Sequence, residues 1–160
     1  MHVVLADSRL LWRVIDYLQR DAATKDILLC SDDSTVGSFW HNMDEFTPAK
    51  REDRLYVVLD TRHRLMAYFI TRRTLENDES DGAIPTDKGT LFIDIFEVLP
   101  KYRNKDVGSF MVSWIEGKAC TAGYHSLSVL PANSSNAFWN KKGFGVWPGS
   151  AAGYLLLPIA

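Results

Sequence analysis

Between Leu91 and Ala119 the chain changes its hydrophobic period once, and that change restricts the fold more than any other feature. The run "LFIDIFEVLP" has two faces, Leu91, Ile93, Ile95, Glu97 and Phe92, Asp94, Phe96, Val98, both mainly apolar. A strand that is apolar on both faces is covered on both, which places it in the middle of a sheet. Beyond "KYRNKD" the residues Val107, Phe110, Met111, Trp114, Ile115 and Ala119 recur at helical spacing, and Gly123 stands where the helix should stop. "HSLSVLP" then resumes as a short strand. A central strand feeding a helix and a further strand predicts an α/β unit in the middle of the chain.

The flanks add hairpins. "MHVVLAD" predicts a first strand, and "SRLLWRVIDYLQRDA" carries Leu10, Leu11, Val14, Ile15 and Leu18 at helical spacing. Residues 22–53 show no clean period. "RLYVVLDTRHRLMAYFITRR" predicts two strands, over 55–59 and 65–71, joined by a polar turn. Residues 74–90 hold five acids against one lysine, with two glycines and a proline, and predict a loop. "SSNAFWNKKGF" predicts a short helix stopped by Gly143, and "GYLLLPI" a last strand. No repeat or linker divides the chain, so residues 1–160 are expected to form one domain of mixed α+β class.

Composition narrows the function classes. A formal charge of −2 offers no basic excess for a phosphate backbone, so nucleic acid is not an expected partner. The first residues lack a basic n-region with an apolar stretch, and no run approaches the roughly 18 apolar residues of a membrane span. A cytoplasmic protein with no membrane partner is expected. Cys30 and Cys120 are too few for a disulfide framework and are expected to be reduced. His2, His41, His63 and His125 lack metal-ligand spacing, and no Gly-x-Ser-x-Gly marks a serine hydrolase.

A strand ending in Val98-x-Pro100, then Tyr102-Arg103, four residues and Gly108, a helix, a strand, Asn133 and "FWNKKGF" (138–144) is similar to the GNAT superfamily of acetyl-CoA-dependent N-acetyltransferases. The resemblance covers roughly residues 54–144; the first 50 residues, which often shape the acceptor pocket in that family, match nothing in it. It implies a central mixed sheet with antiparallel hairpins at its N-terminal side, strands splayed around a coenzyme A cleft, and flanking helices. The activity implied is transfer of an acetyl group from acetyl-CoA to a primary amine of a small molecule or peptide, by direct attack in a ternary complex. The second reading is a GNAT-fold module of impaired catalysis that binds an acyl-CoA or a protein partner. Monomer and homodimer both remain open.

The family's turn reads Arg or Gln, two variable residues, Gly, one variable residue, and Gly or Ala; Arg103, Asn104, Lys105, Asp106, Val107 and Gly108 hold those places here. The resemblance implies that the amides of 103–108, with Ser109, cradle the coenzyme A pyrophosphate at a helix N-terminus, where the dipole favours an anion. Arg103 and Lys105 would add countercharge, the Val98 backbone would flank the pantetheine arm, and Asn133 and Trp139 would complete the cofactor contacts. Asp106 stands where the family has its first glycine. As a good N-cap it is expected to turn its carboxylate onto the first-turn amides and compete with the phosphates.

Asp94 interrupts the face of Phe92, Phe96 and Val98, four residues before Val98. A buried carboxylate is costly and titrates high, which suits a base that must take a proton from an amine near neutrality. The alternative is a structural partner such as Arg72. Glu97 faces the other way and is the weaker candidate. Many relatives protonate the leaving thiolate with the tyrosine of "Phe-Tyr", but Trp139 occupies that place and an indole N–H does not supply a proton. Tyr102, Tyr124 and solvent stay open as the source.

Overall fold

The computed structural model describes residues 1–7, 9–10, 13–14, 16, 54–73, 89–132, 134–147 and 153–159. Segments 22–53 and 74–88, Cys30 and Asn133 lie outside them. Among the described residues six strands, β1 (His2–Leu5), β2 (Arg54–Leu59), β3 (Leu65–Arg73), β4 (Thr90–Val98), β5 (Ser126–Val129) and β6 (Leu155–Pro158), form one sheet in the order β1-β2-β3-β4-β5-β6. Pairing is antiparallel at β1–β2 and β5–β6 and parallel at β4–β5, so the sheet is mixed, as expected. Among the described residues, helices α1 (Val107–Thr121) and α2 (Asn136–Lys141) follow the predicted positions. Arg9, Leu10, Arg13, Val14 and Asp16 are helical too, and Leu10 N–H donates to Asp7 Oδ1 at 2.8 Å as at a capped N-terminus. Among the described residues no helix is long and apolar enough to cross a membrane.

The chain forms two compact units, residues 1–70 with 95–107 and residues 71–94 with 108–160. In the first, Ala6, Val14, Leu55, Val57, Leu59, Tyr68, Ile70 and Leu99 make a buried cluster, with Ile95 and Tyr102 packed against it. The β2–β3 turn is held by Asp60, whose Oδ1 accepts from Arg62 and Arg64 N–H and whose Oδ2 accepts from Arg64 Nε. Those bonds, led by the one from the Arg64 backbone, hold its carboxyl down at about 2. This contribution is present above the ordinary carboxylate range and is lost as pH falls through about 2.

In the second unit, α1 buries Met111, Val112, Ile115 and Ala119, and β5 is buried along its length. Both helices end alike. Gly123 (φ 83°) donates to Cys120 O and Tyr124 to Ala119 O; Gly143 (φ 88°) donates to Asn140 O and Phe144 to Trp139 O. This doubled bond around a left-handed glycine satisfies the last carbonyls of each helix.

One fold expectation needs correction. β4 is not covered along its length: its N-terminal part is largely buried, Asp94 is exposed, and Ile95 to Val98 are only half-buried. Parallel pairing with β5 runs from Thr90↔Ser126 to Ile93↔Val129, while β4 continues five residues further. The apolar side chains of that continuation do not need a second covering layer to be explained, since a half-buried strand end also favours them.

Candidate functional site

The β4–α1 connection begins with a 3-10 turn, Pro100–Tyr102, in which Tyr102 N–H donates to Leu99 O and Arg103 N–H to Pro100 O. Pro100 has no N–H, which suits the first position of such a turn. Arg103 itself is extended (φ −63°, ψ 152°), whereas Asn104 (φ 57°) and Asp106 (φ 58°) are left-handed. The backbone N–H groups of Asn104, Lys105 and Asp106 have no protein acceptor among the described residues. Successive amides freed in this way, ahead of a 15-residue helix, are the donor set an anion uses. Arg103 N–H is not part of that set, because Pro100 O already takes it.

The N-cap expectation for Asp106 fails. A capping residue has extended backbone angles, whereas Asp106 is left-handed, and its exposed carboxylate accepts no hydrogen bond among the described residues. The family's glycine at this place is explained by the same angle: φ near +60° costs an L residue about 1 kcal/mol, and Asp is one of the few that tolerate it. Asp106→Gly is therefore expected to raise stability by roughly 0.5–1 kcal/mol, or a few degrees in Tm, and Asp106→Val to lower it. Thermal unfolding of the two variants checks this; equal melting temperatures would mean that the turn relaxes without the left-handed residue.

The cations are also placed differently from their expected role. Arg103 Nε donates to Val98 O at 3.0 Å and Nη2 to Glu97 Oε1 at 2.8 Å, so the side chain folds back along β4. Lys105 Nζ donates to Lys101 O at 2.8 Å, and Lys101 Nζ lies 4.9 Å from the Tyr102 ring centroid. Glu97, with a side chain 17% exposed against 40% for Asp94, is the more buried of the two carboxylates of β4. Burial pushes its pKa up, and Arg103 only partly offsets this. A raised carboxyl pKa means that its stabilising share is whole below the unfolded value and is lost as pH rises through the folded one. All of these contacts lie within the first unit.

The second unit holds Asp94, Gly108, Ser109 and Trp139. Asp94 is not buried as expected: its side chain is 40% exposed, and Arg72 Nη2 donates to its Oδ2 at 3.1 Å. The strand's alternation puts it on the face of Phe92, whose ring meets Tyr154 edge-on at 5.9 Å. Tyr154 titrates above the usual phenol range, first because it is partly buried and second because Asp94 lies near, with Arg72 opposing. Sequence reasoning missed Tyr154, since nothing in "GYLLLPI" signals which strand its phenol faces. It also missed Lys142, whose Nζ donates to Ser109 Oγ at 2.6 Å. Ser109 is thus tied to the end of α2, and no spacing rule relates positions 33 residues apart. Gly108 lies in the first turn of α1. Trp139 is buried at 3% exposure, edge-on to Phe138 at 5.1 Å and to Phe144 at 5.0 Å.

No family model matches the sequence, and no curated protein matches it closely. Solved structures do match. A GCN5-related N-acetyltransferase from Kribbella flavida superposes with a TM-score of 0.67 at 13% identity, over 99% of this chain and 97% of its own. A GNAT-family acetyltransferase from Staphylococcus aureus Mu50 gives 0.66 at 10% identity, over 99% of both chains. A GNAT-family acetyltransferase from Brucella melitensis, in complex with acetyl-CoA, gives 0.66 at 13% identity, over 99% of this chain and 88% of its own. With its mixed six-stranded sheet and its helices, the chain has the GNAT fold.

Proposed function

We propose that the protein is an acetyl-CoA-dependent N-acetyltransferase that acts on a primary amine by direct attack, in the cytoplasm. Its main support is the turn before α1, where the N–H groups of Asn104, Lys105 and Asp106 are open to an anion ahead of a helix N-terminus. The acetyl-CoA complex of the Brucella melitensis relative adds to this at the level of the fold. Acetyl-CoA supplies the activated thioester. The chain's own work is to hold the pyrophosphate on those amides, to orient the amine, and to take its proton at an Asp94 carboxylate oxygen. Arg103 would strengthen the phosphate contact only on leaving Glu97 and Val98, whose carbonyl it occupies. Asn133 and Trp139 are kept as proposed cofactor contacts, Trp139 through the little of its surface that is exposed.

Acetyl-CoA at 100 times its dissociation constant is expected to stabilise the fold by about 2.7 kcal/mol, a shift of several degrees in Tm. A flat thermal titration to saturating acetyl-CoA would refute the proposal. Trp139 in place of a tyrosine favours the second reading, a module that binds an acyl-CoA without turning it over. Stabilisation by acetyl-CoA with no release of thiol across an amine panel would select that reading.

A further inference from the structure

Arg72, Phe92, Asp94 and Tyr154 belong to one compact unit and form a cluster outside the phosphate-binding turn. Arg72 Nη2 donates to Asp94 Oδ2 at 3.1 Å, yet both side chains keep about a third of their surface in solvent, at 32% and 40%. Phe92 and Asp94 share a face of β4, and the Phe92 ring is fixed by its edge contact with Tyr154. The Tyr154 hydroxyl has no hydrogen-bond partner among the described residues and lies in the field of both charges. A cation, an anion and a neutral phenol are therefore presented together, over the buried Phe92 ring.

We infer that this cluster is the acceptor site of the transfer reaction and that it selects a zwitterionic α-amino acid, with the carboxylate on Arg72 and the ammonium on Asp94. The inference rests on the acetyltransferase reading above. A simple amine is served poorly here: its ammonium is drawn to Asp94 but repelled by Arg72 at nearly the same distance, and the two terms largely cancel. A lone carboxylate meets the mirror image of that cancellation. In an α-amino acid the two charges are joined through one carbon, so each can face its opposite and the four charges alternate. Opening the existing pair costs little, because an exposed ion pair contributes at most about as much as one weak contact. Arg72 is the right cation for this task, since a guanidinium meets a carboxylate with two parallel N–H groups. Tyr154, held protonated, adds a neutral donor, and its half-buried ring, backed by the buried Phe92, offers an apolar edge to the acceptor's side chain.

The chemistry closes on the same groups. The ammonium gives one proton to Asp94, and from there to solvent, before the nitrogen can attack. The N–C bond then forms as the C–S bond of the thioester breaks; the nitrogen loses a second proton and the leaving thiolate takes one up. The product is a neutral amide that no longer attracts Asp94, so acetylation itself weakens binding.

Calorimetry with a matched series tests the inference: L-phenylalanine, 2-phenylethylamine, which lacks the carboxylate, and 3-phenylpropanoate, which lacks the ammonium. L-Phenylalanine is expected to bind at least about tenfold more tightly than either, as two charge contacts against one imply. Arg72→Gln should erase its advantage over 2-phenylethylamine, and Asp94→Asn its advantage over 3-phenylpropanoate. Both residues are exposed enough for the variants to fold, and a separate acetyl-CoA titration on each reports on the transfer reading alone. Equal binding of all three compounds, or an advantage that survives Arg72→Gln while acetyl-CoA still binds, would overturn the inference.

Discussion

Asp94→Asn is expected to lower turnover by about 100-fold or more while acetyl-CoA binds as before. The amine must lose a proton before it can attack, and a positioned base contributes about 10²–10⁴ to such a step. Asn keeps the size and can still accept from Arg72, so the 3.1 Å contact survives in form and the loss falls on proton transfer. Because the pair is exposed, its contribution to folding is at most about 1 kcal/mol, and the variant should stay folded. Glu97→Gln provides the contrast. Glu97 is the more buried carboxylate with the raised pKa, the property expected of a base, but its carboxylate is in the grip of Arg103 on the opposite face of β4. Its neutral replacement should leave turnover within a few-fold. It should also remove the loss of stability that Glu97 brings as pH rises above the carboxylate range. If Glu97→Gln abolishes turnover and Asp94→Asn does not, the two carboxylates exchange roles.

The exchange of environments between Asp94 and Glu97 shows where sequence reasoning stops. Strand, helix and hairpin positions were legible because they depend on periods of two and 3.6 residues, and those patterns are strong in β2, β3, β4 and α1. Gly123 and Gly143 were legible as helix stops because a left-handed cap has few alternatives to glycine. Burial along β4 was not, since alternation says which residues share a face but not where the covering layer ends. Nor were the partners of Asp94, Ser109 and Arg103 fully legible. Arg72 was a candidate for Asp94, but Lys142 on Ser109 is a contact made by tertiary structure alone. Asp106 was misjudged for a different reason: Asp is favoured both at N-caps and in left-handed turns, and one sequence does not separate the two.

Trp139→Ala is expected to cost about 3–5 kcal/mol, the range for a large aromatic removed from a packed interior. Total stability is typically about 5–15 kcal/mol, so Tm should fall by roughly 10 °C and the variant should be marginal at 37 °C. The cost has a local cause. Phe144 N–H donates to Trp139 O at 3.1 Å, across the turn that Gly143 makes, and the two rings meet edge-on at 5.0 Å. An apolar contact between these positions is the regular companion of such a helix stop. "FWNKKGF" is thus first a helix terminus with its own clasp, and the aromatic at 139 has structural work whether or not it touches a ligand. Alanine removes the contact and leaves a cavity beside Phe138 and Phe144, whereas Trp139→Phe keeps an aromatic edge and should cost roughly half as much or less. Chemical denaturation of both variants decides the matter. A loss below about 1 kcal/mol for Trp139→Ala would mean that the indole lies on a surface able to collapse. The residue would then be free to serve the cofactor, as its place in the motif implies.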